Sequence, residues 1–157
     1  MPGADDRPRG LAPTANVETA EGPVTMAETP NKGFAVLTRM PDGALGFRQL
    51  IKLVTTGPVP LVRVVLASGH HVECAAGHPF FRVGMEAVAA ADLRSDDLLE
   101  TAYMYPEGYV PPDLPGARPG GPVAVARVEP AGHGAVMHGT VRDTHVLYLT
   151  AGVLCGE

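Results

Sequence analysis

Gly69-His70-His71-Val72-Glu73-Cys74-Ala75-Ala76-Gly77-His78-Pro79-Phe80-Phe81 is the stretch on which the fold turns. Ahead of it, Phe47 to Thr55 and Leu61 to Leu66 are rich in Val, Leu and Ile. That composition suits strands, because branched side chains pack well on a pleated surface. Ser68-Gly69 is a turn pair, so His71 to Cys74 reads as the returning strand of a hairpin. The short run Gly77-His78-Pro79-Phe80-Phe81 closes that hairpin.

The flanking segments continue the β pattern. Val17 to Thr19 and Val24 to Met26 are short strands around the turn Glu21-Gly22-Pro23. Phe34 to Thr38 is a further strand, followed by a Pro41-Asp42-Gly43 turn. Ala87 to Leu93 reads as a helical turn on propensity. Val123 to Val128 and Val146 to Leu154 are the last strands, with Gly132 to Gly139 as a Gly/His loop between them. Residues 106–122 contain ten Gly or Pro in 17 positions, too many for a regular element. A weak internal repeat is visible. Val24-x-x-Ala27-Glu28 precedes Val36-Leu37-Thr38, and Val88-x-x-Ala91-Asp92 precedes Leu98 to Thr101.

Composition narrows the class. The chain has 157 residues with 19 Gly and 16 Pro, 45% hydrophobic and 18% charged. One all-β domain with a true core is expected, over 15–157, behind a flexible leader at 1–14. The net charge of -5 argues against a general nucleic-acid binder. With no Trp and four each of Tyr and Phe, a base-stacking platform is not expected either. No apolar run reaches the roughly 18 residues that span a membrane. Met1 to Gly10 lacks the apolar stretch of an export signal, so a cytoplasmic location is expected.

Four stretches, in order, resemble the Hint domain, the fold shared by Hedgehog autoprocessing domains and inteins. They are Val17 to Gly22 with Val36-Leu37-Thr38, then Gly69 to Phe80 with its His-Pro-Phe ending, then Ala91 to Leu99, and finally Asp143-Thr144-His145 with Ala151 to Leu154. The resemblance covers about residues 15–155. It implies two β-rich halves related by a pseudo-twofold, with strongly curved strands. It also implies that Gly10 to Val17 and Val153 to Cys155 meet beside His78 and His145. Residues 106–122 fall where many inteins carry an endonuclease, so this is a minimal version.

The activity the resemblance implies is self-processing, in which an N-terminal Cys or Ser attacks the preceding carbonyl and turns a peptide bond into an ester or thioester. His78 matches the residue thought to protonate the departing amide nitrogen, and His145 matches a histidine before the last strand. The departures are substantial. The nucleophile position falls near Gly10, and residues 1–24 contain no Cys or Ser. The assisting Thr is Ala75, and the terminal His-Asn pair is Gly156-Glu157. The candidate catalytic set is therefore His78, His145, Cys155 and Asp143, in a domain expected to be inactive as written. The implied partners are the flanking segments of its own polypeptide, with no cofactor. The alternative is a binding or structural module that reuses the fold, with 106–122 as its contact surface. His133 and His138 have a spacing near that of zinc ligands but no second pair, so no metal is expected. Cys74, inside a strand, is expected to be buried and inert, whereas Cys155 near the end has a better chance of exposure.

Overall fold

The computed structural model describes residues 7–29, 35–41, 45–101 and 122–157. The chain builds one plan twice. In the first half β1 (Asn16–Thr19) and β2 (Gly22–Thr25) form a hairpin, a 3-10 turn follows at Met26–Glu28, and β3 (Ala35–Arg39) leads to the long β4 (Leu45–Leu66). After β5 (His71–Ala75), the second half repeats it. β6 (Pro79–Arg82) and β7 (Glu86–Ala89) form the hairpin, the 3-10 turn is Ala90–Asp92, and β8 (Leu98–Leu99) leads to the long β9 (Val123–Val141). β10 (Val146–Tyr148) and β11 (Leu154–Gly156) close the chain.

The pairings match as well. β1 pairs with β2 and β3, and β3 with β4. Equivalently, β6 pairs with β7 and β8, and β8 with β9. The weak sequence repeat thus marks a structural one: each apolar-acidic stretch runs from the second strand of a hairpin into a 3-10 turn. β4 and β9 run antiparallel from Leu50↔Val141 to Leu66↔Val125 and join the halves, with register shifts along the way. β5 folds back on β4 through the Ser68-Gly69 turn, with Gly69 at φ 94°. The architecture is all-β, in two halves built alike, as the resemblance implied.

Four expectations are corrected. Ala87 to Leu93 is not a helical turn throughout, because Ala87, Val88 and Ala89 pair with Phe81, Phe80 and Pro79. Cross-strand pairing overrides alanine's helix preference there. Gly132 to Gly139 is not a loop but part of β9. Its glycines let the strands approach: a Cβ on Gly139 would lie 2.7 Å from the Ile51 carbonyl oxygen, and one on Gly134 3.0 Å from Leu61 Cδ1. The two expected strands at 47–55 and 61–66 are one continuous β4. Val146 to Leu154 is two strands, broken at Thr150 to Gly152, where Gly152 takes φ 94°. The Pro41-Asp42-Gly43 turn and the 106–122 loop lie almost wholly outside the described residues.

The core runs between the two halves. Leu11, Val17, Met26, Val36, Val64, Leu66, Phe80, Leu99, Val141 and Leu147 are all at most 1% exposed and belong to one cluster. Leu11 is 0% exposed, so the expected leader becomes core before its end at residue 14.

Arg39 of β3 clamps the halves together. Its Nε donates to the Tyr148 hydroxyl at 3.0 Å and its Nη1 to Glu100 Oε1 at 2.9 Å. Glu100 Oε2 accepts the Gly84 N–H at 2.7 Å. Burial alone would raise the Glu100 carboxyl, but the Gly84 N–H and Arg39 outweigh it and hold it below the ordinary carboxylate range. Glu100→Gln should therefore destabilise the fold by about 1–3 kcal/mol, since it weakens a charge-assisted network that is largely shielded from water. Urea unfolding should place Glu86→Gln, at a side chain 64% exposed, within about 0.5 kcal/mol of the parent.

Candidate active site

His78 sits in the turn between β5 and β6. Its N–H donates to the Ala75 carbonyl at 3.0 Å, and its own carbonyl accepts the Ala90 N–H at 2.8 Å. These two bonds fix the backbone, and Pro79 fixes φ just after it. The imidazole is 0% exposed and meets Phe80 edge to face at 5.9 Å between centroids. Its Nδ1 accepts the Gly10 N–H at 3.0 Å. An accepting Nδ1 assigns the ring proton of the neutral imidazole to Nε2. Nε2 is buried without a hydrogen-bond partner among the described residues. Burial first, then the positive charge of Arg9, lower the pKa of His78 to about 3, with His138 adding to the shift. The Gly156 backbone opposes the shift without completing hydrogen-bond geometry to Nε2. The ring is neutral at pH 7.

The Gly10 peptide is held on every side. Its carbonyl accepts the Ala75 N–H at 2.9 Å, and Leu11 exchanges backbone bonds with Met137 at 2.9 and 2.8 Å. Gly10 takes φ 138°, a region that disfavours side chains. A Cβ there would fall 2.9 Å from Val136 Cβ. Just upstream, a Cβ on Gly77 would lie 2.6 Å from Arg7 Cβ and 2.7 Å from the Pro8 oxygen. One on Gly156 would lie 2.9 Å from Arg9 Nη2. The Gly10 N–H thus meets His78, and the Arg9 guanidinium meets the C-terminal strand. Further along, Val17 bridges Leu149, and the Thr150 N–H donates to the Asn16 carbonyl at 3.0 Å. The segment at Gly10 and the C-terminal strand meet at His78; His145, which the resemblance placed there as well, is bonded to Glu157 instead.

The other candidates divide. Cys155 faces Phe80 and Leu147 across β11 and is 0% exposed, which corrects the expectation that its terminal place would leave it open. Burial, then the neighbouring Cys74, push its thiol up, against a smaller opposing effect of Arg9. Cys74 is buried as expected, and burial followed by Glu73 pushes it up too. Neither thiol is a ready nucleophile. His145, at φ 62° and with its side chain 65% exposed, places Nδ1 3.0 Å from Glu157 Oε1. Asp143 points outward, 76% exposed, 3.4 Å from Arg48 Nε. That is the turn role of an Asp at positive φ and places it in no contact with His78. Among the described residues no cluster of three His, Cys, Asp or Glu is arranged to hold a metal.

Two site features were missed in the sequence. Glu157 takes up both His145 and, through Oε2, the Val141 N–H. His138 lies two residues beyond Val136, on the same face of β9, near enough to His78 to influence its charge. The expectation singled out His138 only for its spacing from His133. The resemblance placed Glu157 at the terminal position without its contacts, and no local signal ties His138 to the site.

No family model and no curated protein sequence matches the chain. Solved structures do, and they define an intein-type fold of minimal size. An Ssp DnaB mini-intein variant superposes with a TM-score of 0.77 over 98% of this chain and 96% of its own, at 11% identity. An intein-like domain from the bacterium Clostridium thermocellum gives 0.74 over 95% and 98%, at 18% identity. A DnaB intein from Synechocystis gives 0.73 over 95% and 98%, at 12% identity. Among the described residues no helix is long and apolar enough to cross a membrane.

Proposed function

We propose that the chain is an intein-type self-processing domain whose reacting bond is Arg9–Gly10, and that as written it holds this bond without breaking it. One observation carries the reading: the amide nitrogen of Gly10 is hydrogen-bonded to Nδ1 of a fully buried histidine. Acyl transfer there forms a bond from a side-chain nucleophile on residue 10 to the Arg9 carbonyl carbon and breaks the Arg9–Gly10 C–N bond. The proton lost by the nucleophile has to reach the leaving nitrogen, and Nδ1 of His78 is hydrogen-bonded to it. A histidine whose pKa is this low yields a proton readily once charged. Gly10 supplies no nucleophile, and the buried, protonated Cys155 is not a substitute. Glu157 is held by His145, its Oε1 3.0 Å from Nδ1. Asp143 has no part in this reading. The domain begins at Gly10, its substrate is its own flanking polypeptide, and a cytoplasmic setting is part of the reading.

The test restores the missing group. The chain is fused at both ends to reporter domains, and intact mass is followed with and without dithiothreitol. The parent should keep a single mass over days. Gly10→Cys should release a fragment ending at Arg9 when thiol is added. The φ of residue 10 and Val136 oppose the new side chain, so a cost of about 1–3 kcal/mol in stability is expected. A Gly10→Cys chain that is folded by circular dichroism yet never cleaves would overturn the proposal.

A further inference from the structure

Three contacts upstream of Gly10 share one feature: each seats a specific residue of the segment Arg7-Pro8-Arg9. Arg7 Nη2 lies 2.7 Å from Asp92 Oδ2, on the 3-10 turn of the second half. The Arg7 and Pro8 backbone lies on Gly77 so closely that the three nearest atoms to a Cβ there all belong to these two residues. Arg9 Nη2 lies against Gly156. Neither Gly77 nor Gly156 takes a positive φ, so their backbone conformation does not call for glycine. Close approach does, of the flank alone at Gly77 and of Pro79 together with Arg9 at Gly156.

We infer that Gly77, Asp92 and Gly156 form a peptide subsite that selects the flank before the junction, a cationic residue at the first and third positions with proline between them. The inference rests on the reading that Arg9–Gly10 is the reacting bond. Asp92 supplies the charge complement for Arg7 at an edge that water reaches, where it sets preference more than strength. Gly77 accepts the backbone of the proline step, whose fixed φ lowers the entropy lost on seating. Gly156 leaves room beside the C-terminal strand for Pro79, whose Cγ would lie 2.5 Å from a Cβ there, and for the guanidinium of Arg9, whose Nη2 would lie 2.9 Å from it. A flank seated at three points holds the peptide bond in register with His78, which is what positioning contributes to a reaction.

The test uses the full chain and reads docking apart from chemistry. The measured quantity is amide hydrogen exchange of Gly10 by NMR, with Val64 in the core as internal reference. Gly77→Ala should speed exchange at Gly10 about tenfold to a hundredfold, the range of a local overpacking clash, with Val64 unchanged. Asp92→Arg and Arg7→Glu should each speed it about two- to fivefold, the range of an exposed ion pair. The double exchange Arg7→Glu with Asp92→Arg should return to within about twofold of the parent. Unchanged exchange in Gly77→Ala, or a double exchange no better than its single variants, overturns the subsite. In the Gly10→Cys background, Arg7→Glu should lower the cleavage rate by the same factor. If no Gly10→Cys chain cleaves while the exchange results hold, the processing reading falls and the seating of Arg7-Pro8-Arg9 stands.

Discussion

In the Gly10→Cys chain, His78→Ala should slow release of the segment ending at Arg9 by roughly 10²- to 10⁴-fold, the usual contribution of a positioned proton donor. The argument is geometric before it is electrostatic. Nδ1 lies 3.0 Å from the nitrogen that must be protonated. Bulk solvent does not reach it, because the ring is 0% exposed. His78→Asn separates the two contributions. Its carbonyl oxygen accepts the residue 10 N–H as Nδ1 does, but it cannot relay a proton at neutral pH. The asparagine chain should fold like the parent and cleave nearly as slowly as the alanine one. Time courses of intact mass for the three variants decide the point. A His78→Asn chain that cleaves at the His78 rate would show that the residue merely fixes the backbone.

Acid should destabilise this fold more steeply than its carboxylates alone explain. His78 titrates near 6.5 in the unfolded chain and near 3 in the folded one. Between those values the unfolded state binds the extra proton, so stability falls as pH falls through that window. The slope from this one group approaches about 1.4 kcal/mol per pH unit, and the total over the window is roughly 4–5 kcal/mol. Above about pH 6.5 the group is neutral in both states and contributes no slope. The check is urea unfolding from pH 7.5 to 4.5 for the parent and for His78→Asn. The parent should lose stability faster over pH 6 to 4.5, and parallel curves would mean the ring is protonated in place. Such a slope also bears on function, because the neutral ring is the form that accepts the Gly10 N–H.

Local chemistry made the strands legible. Ser68-Gly69 followed by His71 to Cys74 predicts a hairpin, and β5 pairs with β4 there. The repeated apolar-acidic stretches predict matching turns, and each runs into a 3-10 turn that follows a hairpin. Propensity misled where long-range pairing was stronger. Ala87 to Ala89 pair with β6, and the glycines near 134 and 139 serve strand approach, not a turn.

The sequence by itself determined a β-rich chain with a weak internal repeat and no Cys or Ser from residue 1 to 24. Those are facts of composition, turn residues and order along the chain, and they need no third dimension. Tertiary structure decided which atoms meet. Gly10 and His78 are 68 positions apart, and only the closure of β9 and β5 around Leu11 puts one nitrogen on the other. The same closure buried Cys155, turned Asp143 to solvent and joined Glu157 to His145. A side chain's charge and reach follow from its surroundings. For these residues the surroundings are assembled from segments distant in the chain, where no local pattern records them.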